Sequence, residues 1–137
     1  MWCVTSPVRQ LIAIRYHRDR PWDAEYTATP CWDDVVAAVR RMDDHFYPIV
    51  QLNCTEQDDD ETIFNVIGGN GRFALFHQMG DWQYSDPAGS DEEVRLWTSD
   101  QGYFCAQRNI LTDVDEVLKI VRRYYVTGSY SALHEIT

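Results

Sequence analysis

Positive charge is scarce in this chain: 12 lysines and arginines face 22 aspartates and glutamates, giving a formal net charge of −10 and a pI near 4.6. A protein that binds nucleic acid by neutralising phosphates needs a basic face, so that mode is excluded as an expectation and a basic partner fits better. Long apolar runs are missing as well. No stretch approaches the ~18 apolar residues of a membrane span, and MWCVTSPVRQLIAIRY shows no basic leader followed by a long apolar segment. A cytoplasmic protein without membrane contact is expected. The cysteines Cys3, Cys31, Cys54 and Cys105 form no CxxC pair and no dense framework, which predicts free thiols in a reducing compartment.

The usual signatures of catalysis are also lacking. No serine sits in a GxSxG elbow, and His17, His45, His77 and His134 have no HxxxH or HxE partner. Cys105 and His77 on neighbouring strands would be a nucleophile and base in principle, but no glutamine, asparagine or helix start accompanies them. GGNG at 68–71 is not GxGxxG, lacks the GK[ST] ending and precedes a strand, so it reads as a hairpin turn and not as a phosphate loop. A non-enzyme without cofactor or metal is the expectation.

What is present is a polarised charge distribution. Between Cys54 and Gln107 there are 11 acids against two bases, whereas Arg9, Arg15, Arg18 and Arg20 face only Asp19 before position 21. The densest part is TEQDDDETIF at 55–64, where Glu56, Asp58, Asp59, Asp60 and Glu61 are packed before an apolar run. Contiguous acids without a glycine do not make a calcium loop of the EF-hand type, and adjacent carboxylates on an extended chain point in opposite directions. The stretch reads as an acidic turn facing solvent or a partner.

The 137 residues form one expected domain, 1–137, without repeats or low-complexity linkers. RQLIAIRY at 9–16 predicts a first strand, and the polar, proline-interrupted 17–28 a loop. Thr29 and Pro30 open a helix whose Trp32, Val35, Val36, Val39 and Met42 recur at spacings of three and four. Strands are predicted at 46–53, 62–68, 72–78, 93–99 and 103–107, with SDQG at 99–102 as a turn between the last two. Thr112 opens a second amphipathic helix that Gly128 closes. Hairpin-length links exclude parallel pairing, so the fold class is α+β: a mostly antiparallel five- to six-stranded sheet with two helices packed on it.

The long stretch 79–92, MGDWQYSDPAGSDE, carries acids and the aromatics Trp82 and Tyr84, and long ordered loops are often functional. Trp82 is expected to be exposed there. Trp97, on an alternating strand, reads equally as a residue packed under a helix.

The helix from Trp32, then IFNVIGGNGRFALF, DWQYSDP and DQGYFCAQRNILTDVDEVLKIVRRYYVTGS, together resemble the Imm1 family of bacterial immunity proteins, over about two-thirds of the chain. The GGNG hairpin, the strand ending before a Thr-capped helix and the aromatic helix end before Gly128 carry the likeness. GSYSALHEIT departs from the family, with Ser131 near the position of a proline and no following tryptophan. The resemblance implies a non-catalytic cytoplasmic inhibitor that binds the C-terminal domain of a cognate toxin, one acting on nucleic acid as a deaminase or nuclease. Charge points independently the same way, because an enzyme on DNA or RNA presents a basic cleft that an acidic protein can occupy. The toxin-binding residues expected are Glu56, Asp58, Asp59, Asp60, Glu61, Asp86, Asp91, Glu92 and Glu93, with Trp82 and Tyr84 as aromatic anchors. A small ligand-binding domain or enzyme, and an acidic DNA mimic acting on host or phage proteins, are the competing readings. Replacing Asp58, Asp59 and Asp60 together by Ser is expected to slow association with the partner and flatten its salt dependence in stopped-flow kinetics; unchanged kinetics would remove them from the interface.

Overall fold

The computed structural model describes residues 6–16, 23–54, 63–77, 82–96 and 103–134. The acidic turn 56–61, Trp97 and the SDQG turn lie outside the described residues. The elements run β1 (Gln10–Arg15), β2 (Asp23–Ala28), α1 (Trp32–Arg41), β3 (Ile49–Asn53), β4 (Phe64–Gly69), β5 (Arg72–His77), β6 (Glu93–Leu96), β7 (Tyr103–Ala106), a 3-10 turn (Gln107–Asn109), β8 (Ile110–Leu111), α2 (Val114–Thr127) and a short α3 (Tyr130–His134). Six strands form one sheet in the order β2-β1-β3-β4-β5-β8, and β6 and β7 form a separate two-stranded ribbon. Every pairing is antiparallel. The α+β class is thus the one the pattern predicts, with two of the anticipated strands set apart as a ribbon.

The strand β2 replaces part of the expected loop 17–28. Its sequence DAEYTA has little intrinsic strand preference, but the full six-residue register with β1, from Gln10 opposite Ala28 to Arg15 opposite Asp23, holds it at the sheet edge. Its charged and polar side chains suit a sheet edge, where they discourage pairing with a further strand.

Period-2 alternation sorts the sheet into two faces. On one, Leu11, Val50, Leu52, Phe64, Val66, Phe73 and Leu75 meet the helices through Val35, Val39, Val117, Val121 and Tyr124 in the main core. On the other, Ile67 and Ala74 pack under Leu96, with Phe76, Tyr103 and Cys105 beside them. The Phe76 and Tyr103 rings stack at 5.3 Å with planes 3° apart. The ribbon covers this second face, so β4 is buried along its whole length.

Local chemistry sets the helix ends. The Asp34 carboxylate accepts from the Cys31 N–H at 2.9 Å, so α1 begins after Cys31, slightly later than Thr29 and Pro30 suggest. Asp113 caps α2 by accepting from the Asp115 N–H at 2.9 Å, and the Gly128 N–H closes the other end on the Tyr124 carbonyl. Cys54 and Cys105 are free thiols, whereas Cys31 is disulfide-bonded. That corrects the expectation of four free thiols: wide sequence spacing says nothing of which sulfurs the fold brings together.

The GGNG stretch is a structural device. Asn70 and Gly71 both have positive φ, 53° and 84°, and join Gly69 to Arg72 as a two-residue hairpin. Gly68 has φ of 114°, and a Cβ there would come within 2.1 Å of the Arg72 carbonyl oxygen, whereas one on Gly71 would meet nothing within 4 Å. Gly68→Ala should therefore cost about 2–5 kcal/mol, backbone strain plus overpacking, and Gly71→Ala only about 1–2 kcal/mol of backbone strain. Urea denaturation midpoints compare the two; equal losses would mean that the close approach at Gly68 is absent.

Candidate protein-binding face

Residues 82–92 form an ordered loop that the fold fastens at several points. Its first residues run antiparallel to β5: the His77 N–H donates to the Trp82 carbonyl and the Tyr84 N–H to the Leu75 carbonyl, both at 2.9 Å. Trp82 is only 3% exposed, with its ring 5.7 Å from that of Phe64. The expected exposed anchor is thus a core residue. A tryptophan beside acidic neighbours is buried here because its backbone is zipped to β5, which turns the indole onto the helix-covered face. Tyr84 is half-buried and packs against the same core.

The second half of the loop is tied to the 3-10 turn. The Asp86 N–H donates to the Arg108 carbonyl at 2.8 Å, the Arg108 N–H to the Ser90 carbonyl at 2.9 Å, and the Gln107 N–H to the Glu92 carbonyl at 2.8 Å. The Asn109 amide donates to the Tyr84 carbonyl at 2.9 Å. Within the loop, Asp86 Oδ1 accepts from the Ala88 N–H and Ser90 Oγ from the Glu92 N–H, the short side-chain turns that Asp and Ser favour. Gly89 passes so close to Arg108 that an added Cβ would lie 2.6 Å from its Cα.

This fastening holds Asp86, Asp91, Glu92 and Glu93 together on one exposed stretch. Asp91 pairs with Arg108 at 2.8 Å, but with the aspartate side chain 87% exposed such a pair contributes at most about 1 kcal/mol. Glu116, in the first turn of α2, also reaches this region. Burial and then the Asp86 and Glu116 carboxylates push the Tyr84 phenol above its ordinary range, and the three side chains line one cleft. No spacing in the sequence relates positions 84, 86 and 116; only the packing of the loop on α2 does.

The residues weighed for catalysis do not converge. His77 faces the helices, where its ring stacks on Tyr130 at 4.0 Å, while Cys105 packs in the cluster on the opposite face of the sheet. Burial raises the Cys105 thiol, the reverse of what an activated thiolate needs. Among the described residues no group of three or more His, Cys, Asp or Glu side chains is arranged to hold a metal ion, and no helix is long and apolar enough to cross a membrane.

No protein-family model, curated protein or solved structure matches this chain. The loop and its chemistry therefore carry the functional reading.

The raised Tyr84 phenol gives a pH test. Because the neutral form is favoured in the fold, its contribution to stability is present below the unfolded value of 10.0 and is lost as pH rises through the folded value. Glu116→Gln and Asp86→Asn should each move the Tyr84 titration back down, followed by NMR of the ring carbon bearing the hydroxyl. An unmoved titration in both variants would separate these carboxylates from Tyr84.

Proposed function

We propose that the protein is an immunity-type inhibitor that binds a cognate toxin domain with a basic surface, one acting on nucleic acid, and that the loop 82–92 with the start of β6 is the binding face. The observation that carries this reading is the fastening of four exposed acids, Asp86, Asp91, Glu92 and Glu93, to a hydrogen-bonded loop. Like charges crowded on one loop repel each other, and a fold that holds them together in water gains little from doing so. A basic partner recovers that cost, and a loop already ordered loses little entropy on binding. The acidic turn 56–61 extends the same middle segment in sequence and belongs to the proposed interface on charge alone.

Selectivity distinguishes this reading from an acidic DNA mimic, which would bind many basic DNA-binding proteins. With Cys31 oxidised, cysteine usage no longer favours a reducing compartment. We place the inhibitor in the cytoplasm because a toxin acting on nucleic acid has to be blocked where its substrate is.

The test is growth rescue. The C-terminal domain encoded by the neighbouring large gene is expressed with this protein, with its Asp91→Asn/Glu92→Gln/Glu93→Gln variant, or with an unrelated acidic protein of similar size. Rescue by the natural protein alone, and association slowed about tenfold or more in the triple variant at low salt, is the expected result. Equal rescue by the unrelated acidic protein, or a non-toxic neighbour, would overturn the reading.

A further inference from the structure

Beside the acidic loop lies a cleft of about 210 Å³ between the loop and α2. It is smaller than the roughly 300–1,000 Å³ of clefts that enclose drug-sized ligands, and its dimensions suit one long side chain. Its walls are of mixed chemistry. Leu111 and Ile120, both buried, supply apolar surface, Tyr84 supplies an aromatic ring, and Asp86 and Glu116 supply carboxylates, with Lys119 the single cation among the described lining residues.

We propose that this cleft receives one arginine side chain of the partner protein, a deepening that rests on the immunity reading above. An aliphatic stem packs on Leu111 and Ile120, as long charged side chains do when only the head needs polar partners. The guanidinium then lies between the Asp86 and Glu116 carboxylates, where charge-assisted and forked hydrogen bonds form, and its flat face meets the Tyr84 ring. The two carboxylates outweigh Lys119, so the lining is net negative and rejects anions. Asp86, Glu116 and Tyr84 line the same cleft although they come from two different elements, which is the geometric basis of the assignment.

Asp86→Asn keeps an oxygen able to accept from the Ala88 N–H, which Asp86 Oδ1 accepts at 2.9 Å, so the loop turn survives the loss of charge. Glu116 is exposed on α2, and Gln preserves its helix position. The probe is N-acetyl-arginine-N-methylamide, titrated into the 15N-labelled full chain, with the citrulline analogue as a neutral control of nearly the same shape. Arginine should shift the amides of Tyr84, Asp86, Glu116 and Ile120, citrulline should bind about tenfold more weakly or less, and the Asp86→Asn/Glu116→Gln variant should lose the arginine response while keeping its dispersed spectrum. Equal responses to arginine and citrulline, shifts that persist in the double variant, or shifts confined to Asp91, Glu92 and Glu93 would overturn the proposal. Arginine binding without growth rescue by the natural protein would sink the immunity reading and leave the cleft standing; rescue without arginine binding would sink the cleft alone.

Discussion

The acidic loop and both C-terminal helices meet on the ring of Phe64, on the fourth strand of the sheet. Tyr124 of α2 stacks on it at 4.8 Å with planes 18° apart, Trp82 of the acidic loop at 5.7 Å and 25°, and Tyr130 of α3 at 6.1 Å and 23°. Such contacts contribute about 0.5–1.5 kcal/mol each beyond the area they bury. Their larger effect is geometric: one fully buried strand residue fixes the C-terminal helices and the start of the loop relative to one another. His77 joins the same group through its ring contact with Tyr130. Moving the loop therefore means opening the core, and the acids it carries inherit the rigidity of the sheet.

The two-sided cover of the sheet explains where those acids are placed. Helices occupy one face and the β6–β7 ribbon the other, so β4 and β5 read as apolar on both sides. The chain passes from β5, past the helix-covered face, to the ribbon on the far side through loop 82–92. That crossing runs at the rim of the sheet, beside β8 and α2, where its backbone partners are β5 at Trp82 and Tyr84 and the 3-10 turn at Asp86, Ser90 and Glu92. Side chains at the crossing are free to face solvent, and here they are carboxylates.

The architecture was readable where period and length were unambiguous. Alternation in IFNVIG and RFALFH, the two-residue link Asn70-Gly71, and the apolar stripes of both helices each rest on local geometry, so the sheet and its covering helices follow from the sequence pattern. What depended on distant partners was not readable. The strand β2 exists because β1 offers it a register, and DAEYTA alone gives no hint of one. The two-residue β8 is similarly defined only by Phe73 and Ala74 across from it. The Cys31 disulfide belongs to the same class of long-range fact.

The candidate site divides along the same line. That residues 86–93 would be exposed and acidic is local information, and the fold agrees with it; Glu56, Asp58, Asp59, Asp60 and Glu61 lie outside the described residues. Trp82 went the other way because loop context says nothing about backbone pairing. Two hydrogen bonds to β5 settle which way its indole turns, and burial in a stack of aromatics outweighs the polarity of its neighbours. This reassigns its role. With the indole turned inward, the proposed contact with a partner falls to the carboxylates and to the half-buried Tyr84, which lines the cleft between loop and helix. In the proposed reading, recognition by the loop is electrostatic at long range and, at the cleft under Tyr84, a matter of shape and charge together. A surface of the proposed kind would steer many basic proteins toward it and hold only one whose cation reaches the cleft.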